Sequence, residues 1–427
     1  MEPPTTVLEQ ISALLAKQAS AAAPKDAPAQ DRGPMILAVR GASAYGSLDA
    51  LLTMLQHAWT ETGTQVVELN MSKPDWPDRL MRILASFRIQ FGVCMAGIAL
   101  DIAERAQSLW EQMRFPVFCL HCDHPAYYAR RHHHVPPNVV HGYLFRDHAL
   151  YQRDHVKSAN LVTSVHLGIP DLPMVDPDPS EGPTVVFAKT GNDPRQLETR
   201  WRALPKIEPL IRDCLDEVGL GSCQLYPDAA RRVAAARGIE LQPFDRLTRF
   251  LIAQIDDYVR RRKSTAIAEA IKRFPVDIYG VSWEHIDRTG ARARFHGGIE
   301  YTTVNQAIAR STASITMNPN IELSAHDRFF TALGQGVMPL SDANSFTREN
   351  FPGLAPYTFD FGDGSLEAAL ERVFARPADA LALARSTKQE MIQRFSVRQA
   401  AQQIRDISGV AEYLDFSFAA PQSFLVL

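Results

Sequence analysis

The sequence is poor in cysteine and has no long apolar run. Its five cysteines are few and odd in number, which does not fit the disulfide framework of a small secreted domain. The chain opens with Met-Glu-Pro-Pro and has no basic stretch followed by an apolar core, so we expect no secretory signal. No run reaches the roughly 20 apolar residues that span a bilayer. These absences favour a cytoplasmic protein without a membrane span.

An excess of positive charge is also missing. The formal net charge is −3, whereas non-specific binding of nucleic acid needs a basic surface. We therefore expect no nucleic-acid partner. The 427 residues, 46% hydrophobic and 22% charged, are enough for two soluble globular domains of ordinary size.

Apolar runs of strand length alternate with helical patterns along most of the chain. This alternation predicts an α/β protein with two Rossmann-like doubly wound domains that face a cleft, and a helical segment in the second domain. The proline-rich and acidic stretch 170–183 reads as the linker between them. The predicted parts are an N-terminal helix and flexible linker (1–34), a first domain (35–175), a second domain (176–395), and a last helix with a tail (396–427).

Two common phosphate-binding motifs are absent from the first domain. The loop Arg40–Gly46 follows the first predicted strand and has small residues, but it lacks the third glycine of a dinucleotide fingerprint. It also lacks the Gly-Lys-Ser/Thr of a P-loop. Neither kind of nucleotide site is predicted there.

The stretch from Ser314 to Asp342 predicts a strand, a turn, a helix and a second strand. The helix has a capping-box-like start at Ser324, and Gly336 stands where a helix C′ glycine belongs. A helix N-terminus attracts phosphate, and Arg328 in the first turn can bind a phosphate with two hydrogen bonds. His326 can donate a hydrogen bond to phosphate or to a sugar hydroxyl. The alternative is an ordinary capped helix whose His and Arg face solvent.

Two further segments of the second domain carry candidate ligand contacts. Lys189 opens a loop with Asn192 between a strand and a helix, where it can pair with a phosphate. The alternative is a solvated lysine beside a turn. Trp283 follows a later strand and either stacks on a base or packs in the core. The charge run Arg260–Lys263 is expected on a solvated helix face.

His121-Cys122-Asp123-His124-Pro125 follows a predicted strand of the first domain. Asp123, or an imidazole at His121 or His124, can accept a proton from an acceptor hydroxyl. Eight of the 13 histidines fall between residues 121 and 155, which makes a metal site the rival interpretation. The spacing matches no HExxH or zinc-finger pattern, and Cys119 and Cys122 lack a second C-x-x-C pair, so no metal ligand is assigned. The other histidines of this stretch are expected in a polar loop (residues 130–134) or in solvated or capping positions (His141, His148, His155).

Four short motifs occur in order between Asn318 and Asp342: Asn-Pro-Asn at 318–320, His-Asp-Arg-Phe-Phe at 326–330, Ala-Leu-Gly-Gln-Gly at 332–336, and a strand ending in Ser-Asp. Together they resemble the donor-site segment of bacterial GT-B glycosyltransferases of the spore-maturation and flagellin-glycosylation type. One departure is Thr331, which stands where many such enzymes have a Glu that holds the nucleotide ribose.

The resemblance implies metal-independent transfer of a sugar from a nucleotide-sugar donor, held by the second domain, to an acceptor hydroxyl. The donor is a co-substrate, and no cofactor is expected. The acceptor is a protein, such as flagellin through Ser or Thr, or a glycan. The implied catalytic residues are Asp123 and His124. The implied donor-binding residues are Lys189, Asn192, Trp283, Asn318, Asn320, His326, Asp327 and Arg328.

The resemblance also implies that the last helix crosses back to the first domain. The apolar tail 416–427 is expected to pack on the body or to support oligomer formation. The alternative function is a degenerate GT-B protein that binds a nucleotide or a partner without catalysis, which Thr331 motivates.

Overall fold

The computed structural model describes residues 34–416, except 102, 105, 106, 179 and 181. The predicted N-terminal helix, nearly all of the linker after it and the tail beyond residue 416 lie outside the described residues.

The first unit is built on a six-stranded parallel sheet with the strand order β2-β1-β3-β4-β5-β6. Its centre is apolar on both faces, as expected of a parallel sheet covered by helices. The strands are β1 (Met35–Arg40), β2 (Val66–Asn70), β3 (Ile89–Met95), β4 (Val117–His121), β5 (Val139–Tyr143) and β6 (Val162–Ser164).

Helices α1 (Ser47–Glu61) and α2 (Trp76–Ser86) follow β1 and β2. Both are amphipathic: α1 buries Leu51, Leu55 and Trp59, and α2 buries residues at helical spacing such as Leu80 and Leu84. A short helix, α3 (Arg146–Tyr151), follows β5. The predicted parallel β/α units of this half are therefore present, and β5 is a strand that the sequence patterns did not indicate.

The second unit has a second six-stranded parallel sheet, in the order β9-β8-β7-β10-β11-β12. Numbered within the unit, this is the 3-2-1-4-5-6 order of a Rossmann fold, in which ligands bind beyond the strand ends where the order reverses. That reversal lies between β7 and β10. The strands are β7 (Val185–Ala188), β8 (Val276–Tyr279), β9 (Arg294–His296), β10 (Ala313–Thr316), β11 (Met338–Asp342) and β12 (Thr358–Phe359).

The helical segment predicted between the first two strands of this unit is confirmed. It comprises α4 (Arg195–Arg202), α5 (Glu208–Val218), α6 (Tyr226–Ala236) and the 26-residue α7 (Arg246–Ile271). The remaining helices are α8 (Tyr301–Ala309), α9 (Asp327–Gly334), α10 (Ser345–Asn350), α11 (Ser365–Ala375), α12 (Pro377–Met391) and α13 (Val397–Tyr413). The predicted fold class, two Rossmann-like α/β domains with a helical insertion in the second, is thus confirmed.

The division of the chain differs in detail from the predicted one. The second unit comprises residues 145–147 and 166–399, so the stretch 170–183 belongs to it and is not a free linker. Lys388 Nζ donates to Leu172 O at 2.8 Å, and Pro170 packs so closely on Gly334 that a Cβ there would lie 2.5 Å from Pro170 O. The prolines and acids in this stretch indicated exposure. Its first part is instead held by the hydrogen bond to Leu172 O and by the packing of Pro170 on Gly334.

Residues from Ala400 onward belong with the first unit. In α13, the carbonyl of Ala401 accepts a hydrogen bond from Trp59 Nε1 at 2.8 Å, and Arg405 Nη1 donates to Thr64 Oγ1 at 3.2 Å. The final helix therefore returns to the first unit after α12 has completed the second. None of the helices in the described residues is long and apolar enough to cross a membrane.

Candidate functional site

Lys189 lies directly after β7, on one side of the point where the strand order of the second unit reverses. Its ammonium makes no ion pair or hydrogen bond within the described part of the chain. Burial lowers the pKa of Lys189 to about 7, and repulsion from Arg260 and Arg328 lowers it in the same direction. The charges of Asp256 and Asp257 oppose this shift without forming an ion pair with Lys189. A buried lysine that no carboxylate contacts directly is suited to binding an anion.

Arg328 lies across the same reversal point, in the first turn of α9. Its side chain is half-buried, and its Nε is buried without a hydrogen-bond partner among the described residues. No carboxylate of the described chain forms an ion pair with it. Arginine cannot shed its charge, so a buried guanidinium edge needs an acceptor. The N-terminus of α9 adds backbone N–H groups and a partial positive charge at the same place.

Arg260 is a contributor that the sequence patterns missed. It lies on α7, half-buried, with Nη1 3.5 Å from Asp256 Oδ2. The expectation that residues 260–263 form a solvated helix face is wrong for Lys263, which is 5% exposed and has its Nζ 3.8 Å from Asp342 Oδ2. The signal was present, because Asp256, Arg260 and Lys263 are spaced i, i+4, i+7 and share one side of the helix with apolar residues.

His326 is the N-cap residue of α9, where Ser324 was predicted. Ser324 is instead fully buried, and its hydroxyl accepts a hydrogen bond from Arg146 N at 2.8 Å. A local cap pattern cannot anticipate such a contact from 178 residues away.

The imidazole of His326 is paired with the neighbouring carboxylate. Nδ1 lies 2.7 Å from Asp327 Oδ1 and is also placed to accept a hydrogen bond from Arg328 N at 3.2 Å, so the two contacts compete for this nitrogen. Burial raises the pKa of Asp327, but His326, Arg328 and Tyr301 outweigh it and hold that pKa well below its usual range. The shorter contact, to an ionised carboxylate, calls for a proton on Nδ1. Burial lowers the pKa of His326 itself, so the neutral ring offers a lone pair at Nε2, which suits a sugar hydroxyl as donor.

Asn318 and Asn320 hold the loop between β10 and α9 in place through side-chain hydrogen bonds. Asn318 Nδ2 donates to Asp342 O at 2.9 Å, and its Oδ1 accepts from His326 N at 3.1 Å, so its amide joins β11 to the start of α9. Asn320 has φ 58° and donates from Nδ2 to Asp256 Oδ1 at 2.8 Å. Both side chains are buried, so they position the loop rather than present an amide to a ligand.

Trp283 also supports the site from the core. Its side chain is 1% exposed, and its Nε1 donates to Lys189 O at 3.0 Å. A Cβ on Gly191 would lie 2.1 Å from Trp283 Cδ2, so the ring fills the space under the Lys189 loop. Of the two interpretations of this tryptophan, the structure places it in the core. Asn192, in the same loop, is half-buried and makes no side-chain hydrogen bond within the described residues.

In the first unit, the two predicted catalytic residues follow β4. Asp123 is half-buried in the loop. His124 is 1% exposed, and its Nδ1 accepts a hydrogen bond from Ala126 N at 3.2 Å. Of the three histidines expected in solvated or capping positions, His141 and His148 are buried and His155 is half-buried. His132, expected in a polar loop, is buried as well.

One family model matches part of this chain. Residues 260–406 match a family model described as glycosyl transferase-like, which covers about a third of the chain and includes Arg260, His326, Asp327 and Arg328 but not Lys189. No curated protein sequence is similar enough to this chain to count as a match.

Several solved structures are similar in outline. The Anabaena protein HepE, solved with UDP and glucose, has a TM-score of 0.48 and 10% identity and covers 88% of this chain and 100% of its own. A DNA-modifying β-glucosyltransferase has a TM-score of 0.45 and 8% identity, with coverage of 89% and 100%. A glycosyltransferase from Rickettsia africae has a TM-score of 0.44 and 8% identity, with coverage of 88% and 98%.

Proposed function

We propose that the protein is a GT-B glycosyltransferase that moves a sugar, a hexose or a related glycosyl group, from a nucleotide-sugar donor to an acceptor hydroxyl. The observation that carries the proposal is the pair of unpartnered cations, Lys189 and Arg328, at the strand-order reversal of the second unit. The diphosphate of a nucleotide sugar supplies the missing anion. The glycosyl transferase-like match over residues 260–406 supports the same assignment.

The cation cluster explains how the reaction is driven. The acceptor oxygen forms a new bond to the anomeric carbon, the bond from that carbon to the diphosphate oxygen breaks, and the electron pair leaves with the nucleoside diphosphate. Lys189, Arg260 and Arg328, with the N-terminus of α9, stabilise the charge that develops on the leaving phosphate. Fixed positive charges of this kind do the work for which other transferases recruit a divalent ion, so we expect metal-independent transfer.

His326 and Asp327 are assigned to the transferred sugar. The carboxylate keeps the imidazole oriented through the 2.7 Å contact with Nδ1, and Nε2 then accepts from a sugar hydroxyl. This refines the expectation that His326 donates, because a neutral ring with its proton on Nδ1 has only an acceptor at Nε2.

If the reaction inverts the anomeric centre, the acceptor proton needs a base, and Asp123 is the better of the two candidates. His124 accepts a hydrogen bond from a backbone N–H at Nδ1, so its neutral ring carries its proton on Nε2. Neither nitrogen then has a lone pair available to take the acceptor proton. Asp123 is half-buried and acceptor-only when ionised. The resemblance of residues 318–342 to flagellin-type transferases supports a Ser or Thr hydroxyl of a protein as acceptor.

The test is donor hydrolysis followed by mass spectrometry, with a panel of nucleotide sugars in excess EDTA. We expect slow hydrolysis of one donor by the wild type and a loss of about 10- to 100-fold in Arg328→Ala, the usual cost of a charged hydrogen-bond partner. Arg348→Ala is the matched control, because Arg348 lies in the same unit with a side chain that is 59% exposed. Equal hydrolysis by wild type and Arg328→Ala would refute the assignment.

A second candidate is a GT-B protein that binds a nucleotide without transfer. Thr331 favours it, because this residue is 3% exposed and cannot present a carboxylate to a ribose. Nucleoside diphosphates would then raise the melting temperature of the wild type but not that of Arg328→Ala, while no donor of the panel is hydrolysed.

A further inference from the structure

Three histidines of the first unit converge in its interior. His121 ends β4, His141 lies on the adjacent β5, and His132 comes from the loop between these two strands. They are 2%, 0% and 1% exposed, respectively. One ring nitrogen from each lies within 4.8 Å of the corresponding nitrogens of the other two.

The rings form a compact triangle. The ring centroids of His121 and His132 are 4.3 Å apart, and those of His121 and His141 are 5.2 Å apart. His121 Nε2 and His141 Nδ1 are already 3.0 Å apart. In a tetrahedral site with metal–nitrogen distances of about 2.0–2.1 Å, neighbouring ligand nitrogens are separated by about 3.4 Å. The His121–His141 pair is already near this separation, and no two of the three nitrogens are more than 4.8 Å apart, so small side-chain shifts close the triangle.

The hydrogen bonds around His132 fix its tautomer. Gln152 Nε2 donates to His132 O at 2.8 Å and to Ser158 Oγ at 3.1 Å, so Gln152 Oε1 is the acceptor end of the amide. Tyr143 OH donates to that Oε1 at 3.0 Å and must accept from His132 Nδ1 at 2.7 Å. The proton is therefore on Nδ1, and Nε2 carries the lone pair. A ring held through its other nitrogen in this way is the usual support of a metal-ligating histidine.

Burial favours the neutral form of all three imidazoles. Burial lowers the pKa of His121 and His132 well below the usual range and that of His141 to about 3. Each neutral ring keeps one lone pair near pH 7, and metal binding requires a change of tautomer where His121 and His141 now share a hydrogen bond.

One nearby charge opposes a cation. Arg131 stands next to His132, and its charge also lowers the pKa of His121 and of His132. Its guanidinium donates to Ala96 O at 2.9 Å and lies over the Tyr128 ring, so it is held by neighbours of its own. Three neutral ligands do not reduce the charge of a bound dication, so Arg131 repels the ion and weakens its binding. Arg131 does not, however, occupy any of the three ligand nitrogens.

We propose that His121, His132 and His141 bind one divalent transition-metal ion of the kind that prefers imidazole, with Zn²⁺ as the probe. The three ring nitrogens supply three corners of a tetrahedron, and water completes the fourth. The site lies wholly within the first unit, so the inference is independent of the proposed glycosyl transfer and of its metal-free chemistry. No sequence motif indicates this site, because its ligands come from two strands and the intervening loop.

The experiment uses tag-free full-length protein, stripped with chelator and dialysed against buffered free Zn²⁺, with bound metal measured by mass spectrometry. We expect about one equivalent on the wild type and at least 100-fold weaker binding for His132→Gln and His141→Gln. His57→Gln is the matched control, because His57 belongs to the same unit and its side chain is 75% exposed. Binding below 0.1 equivalent on the wild type, or equal binding by His141→Gln, would overturn the proposal.

A second readout keeps the test decisive if a substitution of a buried histidine unfolds the unit. Co²⁺ added to the stripped wild type should give the intense visible bands of a tetrahedral complex, and Zn²⁺ should abolish them. Zn²⁺ should also raise the melting temperature of the wild type reversibly with EDTA, because a ligand of the native state stabilises it. A featureless Co²⁺ spectrum, or zinc bound equally by unfolded protein, would show adventitious binding only and reject the site.

Discussion

In each unit a basic residue stands at the end of the first strand, but its surroundings differ. Arg40 ends the first strand of the first unit, and Lys189 follows the first strand of the second. Arg40 is saturated, with its Nε 2.7 Å from Glu68 Oε2 and an Nη2 donating to Gln56. Lys189 has no ion-pair partner among the described residues, and burial, with a smaller contribution from Arg260 and Arg328, lowers its pKa. A basic residue at such a strand end is therefore available to a ligand only where no neighbouring side chain already pairs with its charge.

The same contrast extends to the clusters around these positions. The first unit gathers histidines, which lose their charge on burial and can approach one another as neutral rings. The second unit gathers arginine and lysine near one helix N-terminus, and arginine keeps its charge under any burial. The first arrangement suits a metal ion, and the second suits a phosphate.

The largest effect should come from breaking the loop that carries Lys189. Gly280 has φ 141°, and a Cβ there would lie 2.1 Å from Lys189 O. Gly280→Ala should displace the loop, weaken nucleotide binding at least tenfold and lower the free energy of unfolding by about 1–3 kcal/mol. Isothermal titration and urea unfolding measure the two effects.

Gly353→Ala controls for the substitution itself, because a Cβ at Gly353 meets nothing within 4 Å. Unchanged nucleotide binding by Gly280→Ala would show that the Lys189 loop does not contribute to the nucleotide site. The two strand ends would then not differ in function.

A second test concerns Asp342, the buried carboxyl near Lys263. Burial raises the pKa of Asp342 to about 6, even though Lys263 lowers it. The native state then holds a proton that the unfolded state releases near pH 4, so this group makes stability fall as pH rises from about 4 to 6. Asp342→Asn cannot titrate. The difference in unfolding free energy between wild type and variant should therefore change by about 1–3 kcal/mol between pH 4 and 7. A pH-independent difference would mean that Asp342 is ionised throughout.

Lys189 offers a smaller and more specific measurement. With a pKa of about 7, its ammonium is half protonated at neutral pH, and a bound diphosphate raises that pKa. Nucleotide binding at pH 7 should take up about half a proton, and affinity should decline as pH rises above 7. Titrations in buffers of different ionisation enthalpy measure the uptake. Lys189→Arg should bind the nucleotide without taking up this half proton. If the variant takes up as many protons as the wild type, the proton belongs to another group.

The smallest effect is expected at the paired strand end. Glu68→Gln removes one partner of Arg40, but Glu68 is 41% exposed and Asp49 and Gln56 remain. We expect a change in stability within about 1 kcal/mol, as for other exposed pairs, and no new nucleotide binding. Anion binding gained by this variant would show that an unpaired cation alone suffices, without the helix N-terminus of the second unit.

Much of the fold and part of the site followed from local patterns. Buried strand runs, helical spacing and punctuating glycines depend on neighbours in sequence, so the element order was predictable, as was Gly336, whose φ is 71°. Lys189, His326 and Arg328 were found for the same reason, since each directly follows a strand or opens a helix. The N-cap at His326 and the burial of Trp283 were not predictable, because remote partners decide them.

The sequence by itself determined which elements form and which charged residues stand at their ends, because those features are set within a few residues. Only the tertiary structure decided which of these residues meet. Strand order brings Arg260 of a long helix toward Lys189 and Arg328, and it brings His121 beside His141 on the neighbouring strand. The physical reason is that charge and pKa depend on burial and on neighbours in space, and a linear pattern contains neither.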